Sequence, residues 1–214
     1  MKRVMPALLC LLSASCVPSK RPEVDSPAAL RSGEVLVIGR VLLTPPLGPE
    51  EQSLSWLVKD WGGKVMMLVG EEPTPIAQPF RTSEYSGRIE APADREFSIA
   101  LPSAPFYVRG CIVPLDLSGG PPDQALLPGG YRVELRRGDV AVYIGTLHYH
   151  RNEFWKITNA EVEDEFPRIQ AQCRERWGDS VPLRKALMVP QRPIAKGAEP
   201  SVQDSPGAGL IMMV

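Results

Sequence analysis

The sequence predicts a mainly β protein: an antiparallel β-sandwich of about seven to eight strands with one C-terminal α-helix packed on it. Short segments rich in β-branched or alternating apolar residues recur from residue 34 onward, separated by Pro- and Gly-rich stretches. Proline accounts for 23 of the 214 residues, about twice its average frequency. Because proline interrupts helix interiors, this composition disfavours a helical bundle.

The strands are predicted from their apolar patterns, in chain order. The predicted strands are residues 35–43, 65–69, 97–101, 106–113, 131–135, 140–147 and 154–157, with a short edge strand near Arg88-Ile89 and a returning strand at 183–189. The strands at 131–135 and 140–147 are expected to pair as a hairpin across Arg137-Gly138-Asp139. Residues 44–53, 71–94 and 118–130 are interpreted as loops, and residues 56–61 as one helical turn.

One helix is predicted at about residues 164–177. Asp164 can cap it, Pro167 suits its first turn and Gly178 suits its end. Phe166, Ile169, Cys173 and Trp177 follow at intervals of three, four and four, which places one apolar stripe toward the rest of the protein.

The N-terminus has the pattern of a secretory signal. Met1-Lys2-Arg3 is cationic, residues 4–12 are apolar, and Ser13-Ala14-Ser15 are small residues directly before Cys16. The apolar run is shorter than the roughly 20 residues of a membrane-spanning helix. With cysteine at the first mature position, the segment resembles a bacterial lipoprotein signal.

This resemblance implies cleavage after residue 15 and lipidation of Cys16, with several acyl chains anchoring the protein stably to a membrane. Val17, where inner-membrane retention would favour an aspartate, implies the outer membrane. The alternative is an ordinary secretion signal, because Ser13 stands where the lipoprotein pattern favours a leucine-like residue. The predicted organisation is a signal peptide at 1–15, a flexible tether at 16–33, the β-sandwich domain at 34–189 and a flexible tail at 190–214.

Two cysteines, Cys111 and Cys173, remain once Cys10 leaves with the signal and Cys16 is lipidated. An even pair in an exported chain suggests a disulfide. Two separately buried thiols are the alternative, since free cysteine packs as a small hydrophobic side chain.

A short motif resembles a known class of sandwich domain. Leu127-Pro128-Gly129-Gly130-Tyr131-Arg132-Val133 is similar to the turn-into-strand motif of carboxypeptidase regulatory-like, or transthyretin-like, domains of bacterial surface proteins. Residues 38–41 and 97–101 fit the same pattern loosely, so the resemblance covers residues 34–150. It implies a domain that is generally non-catalytic.

The two histidines are the candidate metal ligands. His148 and His150 are two residues apart on a predicted strand, so both imidazoles project from one face. A catalytic zinc site usually has three protein ligands, and Glu153 is near in sequence without a spacing rule to support it. Two polar residues on the solvent face of an edge strand are therefore the preferred interpretation. The acidic residues Glu161, Glu163, Asp164 and Glu165 are attributed to the start of the helix, where they complement its dipole.

The predicted function is that of a lipid-anchored envelope lipoprotein, a non-catalytic binding or structural module without a cofactor. Its expected partners are the membrane, through the anchor, and an envelope protein; a formal charge of −1 gives no electrostatic case for nucleic acid. Two alternatives remain open: an exported metal-dependent enzyme using His148 and His150, and an accessory subunit of an envelope assembly.

Overall fold

The protein is mainly β, with two five-stranded sheets and one long helix. The computed structural model describes residues 23–52, 61–73, 87–115 and 123–191. The strands are β1 (Glu34–Thr44), β2 (Lys64–Gly70), β3 (Gly87–Pro92), β4 (Glu96–Pro102), β5 (Phe106–Leu115), β6 (Asp123–Val133), β7 (Ala141–Arg151), β8 (Ile157–Glu163), β9 (Leu183–Lys185) and β10 (Val189–Pro190). The helices are a 3₁₀ turn at Pro27–Ala29, the short α1 (Pro49–Gln52) and α2 (Phe166–Trp177).

The first sheet, here called the helix-bearing sheet, has the order β4-β1-β7-β8, with β9 also paired to β7. Strand β7 runs parallel to β1 and to β9 and antiparallel to β8. The second sheet has the order β10-β6-β5-β2-β3 and is antiparallel throughout. The prediction of a mainly β protein with two sheets and one helix is therefore confirmed, but the described residues form ten strands and one sheet is mixed.

The two sheets share one apolar core. Strand β1 shows how the alternation of side chains builds it: Val35 and Val37 belong to the cluster between the sheets, whereas Leu36 and Ile38 belong to a second cluster on the outer face. Helix α2 covers that outer face with Ile169 and Cys173. This double coverage explains why β1 is almost continuously apolar.

Helix α2 forms where its sequence pattern predicts a helix, but it begins at Phe166 rather than at about residue 164, and its N-cap residue is Glu165 rather than Asp164. Ile169 and Cys173 are buried, and Phe166 and Trp177 pack against the same cluster. The Asp164 carboxylate accepts a hydrogen bond from the backbone N–H of Phe166 at 3.0 Å. The buried stripe on one side of α2 and this contact at its N-terminus together hold the helix on the outer face of the helix-bearing sheet.

Several predicted connections are wrong. Residues 123–130 are part of β6 rather than a loop, and β6 and β7 lie in different sheets, so they do not form the expected hairpin. The motif at residues 127–133 lies inside β6, where the register with β5 shifts, and is not a turn leading into a strand. The strand expected at 154–157 starts only at Ile157, because residues 152–156 form a turn closed by the Trp155 N–H to the Asn152 carbonyl.

Other predictions differ from the structure in their boundaries. The returning segment 183–189 divides into β9 and β10, which belong to different sheets. Within 44–53, residues 49–52 form α1, and the helical turn expected at 56–61 lies almost entirely outside the described residues. The strand near Arg88-Ile89 is present as β3.

The expected tether is partly folded onto the domain. The Val24 N–H donates to the Ser98 carbonyl at 2.8 Å, and the Ser98 hydroxyl donates to the Val24 carbonyl at 2.7 Å. The Trp177 indole N–H donates to the Asp25 carbonyl at 2.9 Å. Residues 23–25 are therefore held by β4 and α2, whereas residues 16–22 and 192–214 lie outside the described ranges.

The disulfide between Cys111 and Cys173 is not formed. Both cysteines are free and buried, Cys111 in the core between the sheets and Cys173 on the buried side of α2, against the outer face of the helix-bearing sheet. The helix-bearing sheet separates the two clusters, so the stripe of α2 faces a different core from the one that holds Cys111. The structure has the alternative arrangement, two separately buried thiols.

Candidate functional site

The outer face of the helix-bearing sheet brings together the two histidines and the acidic residues. His148 and His150 alternate on β7 with Leu147 and Tyr149, which belong to the core between the sheets. Both imidazoles therefore project to the outer face. The antiparallel register with β8 places Glu161 opposite His148.

His148 is nearly buried and has a partner at each ring nitrogen. Its Nδ1 lies 2.5 Å from Oε1 of Glu163, and its Nε2 lies 2.7 Å from the hydroxyl of Thr44 on the neighbouring β1. A carboxylate oxygen only accepts, so in the neutral ring Nδ1 carries the hydrogen and Nε2 accepts from Thr44. This arrangement fixes both the tautomer and the orientation of the ring.

His150 lies at the more open end of the site. Its Nε2 is 3.1 Å from Oε1 of Glu161, and its ring stacks on that of His148 with centroids 4.1 Å apart and planes tilted by 30°. The exposed fraction of the side chain is 33% for His150 and 51% for Glu161, against 11% for His148. The site thus has a shielded side formed by His148 and an accessible side formed by His150 and Glu161.

One ligand atom from each of His148, His150 and Glu161 lies within 4.8 Å of the other two. Two imidazoles and a carboxylate form a ligand set found in zinc sites. Glu153, the acidic residue near in sequence, is exposed in the turn after β7 and is not part of this group. The third potential ligand, Glu161, comes instead from the adjacent strand.

The acidic run at 161–165 is divided between two roles, which corrects its attribution to the helix start. Glu161 and Glu163 belong to β8 and contact the histidines, whereas Asp164 accepts from the first turn of α2. A sequence signal for this division exists: Ala160 and Val162 alternate with the two glutamates, as in a strand with one buried face.

Glu165 connects the site to the helix. Its carboxylate accepts hydrogen bonds from the Thr146 hydroxyl at 2.5 Å and from the Arg168 guanidinium at 3.1 Å, and Arg40 lies 3.7 Å away. Burial by itself would raise the pKa of Glu165, but these partners outweigh it and the pKa is lowered. The outer face therefore continues from the histidines into a network of ion pairs.

A groove lies on the same face, farther along α2. It has a volume of about 270 Å³ and is bounded by α2, β4 and the N-terminal segment. Ile38, Phe97, Ile169, Cys173 and Trp177 form its apolar wall. Desolvation raises the pKa of the Cys173 thiol, so this cysteine is a poor nucleophile.

Comparison of the chain with protein-family models, with curated proteins and with solved structures gave no match. Cys16 and the predicted signal segment at 1–15 lie outside the described residues. Within the described ranges, none of the helices has the length and apolarity needed to traverse a lipid bilayer.

Proposed function

We propose that this protein is a lipid-anchored envelope protein, and that its β domain is a non-catalytic binding module. The anchor is Cys16, preceded by a cationic, apolar and small-residue signal. The structural observation that supports the proposal is the docking of the chain from Glu23 onward. Glu23 forms a β-bridge with Ile99, and Val24 is hydrogen bonded to Ser98.

Docking at this point keeps the domain close to the anchor. Glu23 is the seventh residue after Cys16, and a chain of seven residue steps spans at most about 25 Å. The module would thus be held near the membrane surface.

The non-catalytic role is supported by the way the polar side chains of the outer face are held. Thr146, His148, His150 and Arg168 each contact a carboxylate of Glu161, Glu163 or Glu165. Side chains fixed in such pairs form a rigid, preorganised surface, which suits recognition of a ligand.

An exported metal-dependent enzyme is the second candidate, favoured by the convergence of His148, His150 and Glu161. Hydrolysis of ester or phosphoester substrates by the metal-loaded protein, lost in the His148→Ala/His150→Ala double variant, would overturn the non-catalytic role. The same assay on the wild-type chain without added metal is the control.

The anchor is tested by the intact mass of the protein extracted from bacterial membranes. We expect a chain that begins at Cys16 with added acyl mass and is found in the membrane fraction. The matched control is Cys16→Ser, which we expect to carry no acyl mass and to leave the membrane fraction on mild washing. An unacylated wild-type protein in the soluble fraction would instead indicate a secreted product.

A further inference from the structure

We propose that His148, His150 and Glu161 form a binding site for a divalent transition-metal ion of the Zn²⁺ type. The inference deepens the proposed binding role, because it names a ligand for the outer face of the helix-bearing sheet. It does not depend on the lipid anchor. No other described group of three histidine, cysteine or acidic side chains offers ligand atoms this close together.

The chemistry of the ligands selects the class of ion. Imidazole nitrogens suit Zn²⁺, Cu²⁺ and Ni²⁺, whereas Mg²⁺ and Ca²⁺ are held by oxygen ligands. Two imidazoles with one carboxylate provide three protein ligands, which leaves a fourth tetrahedral position for water or an external ligand.

The present separations are close to those that a bound ion requires. With metal–ligand distances of about 2.0–2.2 Å, neighbouring ligand atoms of a tetrahedral site lie about 3.3 Å apart. Nε2 of His150 and Oε1 of Glu161 are 3.1 Å apart already. The remaining separations, up to 4.8 Å, close by side-chain rotation of His150 and Glu161, both of which have room to move because they are partly exposed.

His148 is oriented for this role by its partners. Glu163 accepts from Nδ1 at 2.5 Å, which leaves the Nε2 lone pair directed away from Glu163. A carboxylate behind a ligating histidine is the usual outer partner in metal sites, since it fixes the tautomer and raises the basicity of the ring. The Thr44 hydroxyl, which donates to Nε2 at 2.7 Å, must turn away when an ion takes that lone pair. Glu163 is thus a positioning residue.

Metal binding is measured by titrating the purified full-length chain in detergent with Zn²⁺, followed by isothermal calorimetry, and with Co²⁺, whose visible absorption reports the ligand set. We expect one ion per chain. His150→Ala and Glu161→Gln should weaken binding at least about tenfold each, because the first removes an imidazole ligand and the second replaces an anionic carboxylate ligand by a neutral amide. Glu153→Gln is the matched control: it neutralises an acidic residue outside the group and should change the affinity less than about twofold.

Glu163→Gln tests whether Glu163 affects the metal affinity by orienting His148 rather than by stabilising the fold. We expect a loss of about 10–100-fold in affinity and an altered Co²⁺ spectrum, with unfolding of the metal-free protein close to that of the wild type. His150 and Glu161 are exposed enough that their variants should also fold. Absence of binding by the wild-type chain, or binding that His150→Ala and Glu161→Gln leave unchanged, would overturn the proposal, and neither result would bear on acylation of Cys16.

Discussion

Replacing Arg151 by methionine should destabilise the protein by about 3 kcal/mol. The side chain of Arg151 is 3% exposed and donates to both carboxylate oxygens of Glu51, at 2.8 and 2.7 Å. It also donates to the carbonyls of Pro45 and Pro46 at 3.1 and 3.0 Å, and its guanidinium lies 4.0 Å from the ring centroid of Trp155. Arg151 thereby fixes the segment that follows β1 to the end of β7.

The magnitude follows from what the substitution leaves behind. Removing one partner of a buried ion pair costs about 3–5 kcal/mol, because the other charge remains without compensation. The Glu51 side chain is 20% exposed and also accepts from the Gly48 N–H at 2.8 Å, which places the cost at the lower end. A cost of 3 kcal/mol lowers the ratio of folded to unfolded protein about a hundredfold.

Urea unfolding of the purified chain, followed by tryptophan fluorescence, measures this cost. The comparison includes Glu51→Gln and the double variant Arg151→Met/Glu51→Gln. We expect the double variant to cost less than the sum of the single changes, because the orphaned carboxylate is then neutral. A cost below about 1 kcal/mol for Arg151→Met, or strict additivity of the two changes, would refute this account of the ion pair.

The same ion pair predicts a pH dependence. Burial alone would raise the pKa of Glu51, but the hydrogen bonds from Arg151 and from the Gly48 N–H outweigh it, so the pKa lies below its ordinary value of 4.5. The folded state therefore binds this proton more weakly than the unfolded state. The resulting stability is fully present above pH 4.5 and is lost as the pH falls through the lowered folded-state pKa. Glu51→Gln should flatten the fall in urea midpoint over that acidic range, and parallel profiles would contradict the assignment.

Two further predictions concern close packing and the thiols. A Cβ at Gly129 would lie 2.2 Å from the backbone carbonyl carbon of Arg109, so Gly129→Ala should cost about 2–3 kcal/mol or more in thermal unfolding. Gly138→Ala, where the Cβ meets open space and only the positive φ of 95° is strained, is the control and should cost about 1 kcal/mol. Cys111, whose pKa burial raises to about 12, and Cys173 should be alkylated only after unfolding, without any need for a reductant; alkylation that requires a reductant would indicate a bond between them.

The elements that the sequence predicts well are those whose signal is local. The continuous apolar run at 65–69 reappears as β2, buried on both faces, and the helical stripe from Phe166 to Trp177 reappears as α2. In each case the periodicity of buried side chains is a property of the segment itself. Their pairing partners depend on distant parts of the chain, which is where the predictions depart from the structure.

The connection between β6 and β7 illustrates the difference. The turn chemistry at residues 136–139 is as expected, since the Asp139 N–H donates to the Arg136 carbonyl at 3.1 Å and the Asp139 carboxylate accepts from the Arg136 N–H at 2.7 Å. Arg184, however, donates to the same carboxylate at 2.7 Å, and β7 pairs with β1, β8 and β9 in the other sheet. A local turn was therefore recognisable, but the separation of its two strands depends on partners up to a hundred residues away.

The candidate site also depends on the pairing of separate strands, but the apolar pattern of β8 encodes that pairing. Period-two spacing places His148 and His150 on one face, but Glu161 joins them only through the antiparallel register of β7 and β8, in which His148 lies opposite Glu161. That register is itself encoded, because a slip of one residue would turn Glu161 into the core and expose Val162, which packs against the core cluster. The apolar pattern that stabilises β8 therefore also determines which acidic side chain meets the histidines, so the ligand set follows from the same alternation that builds the sheet.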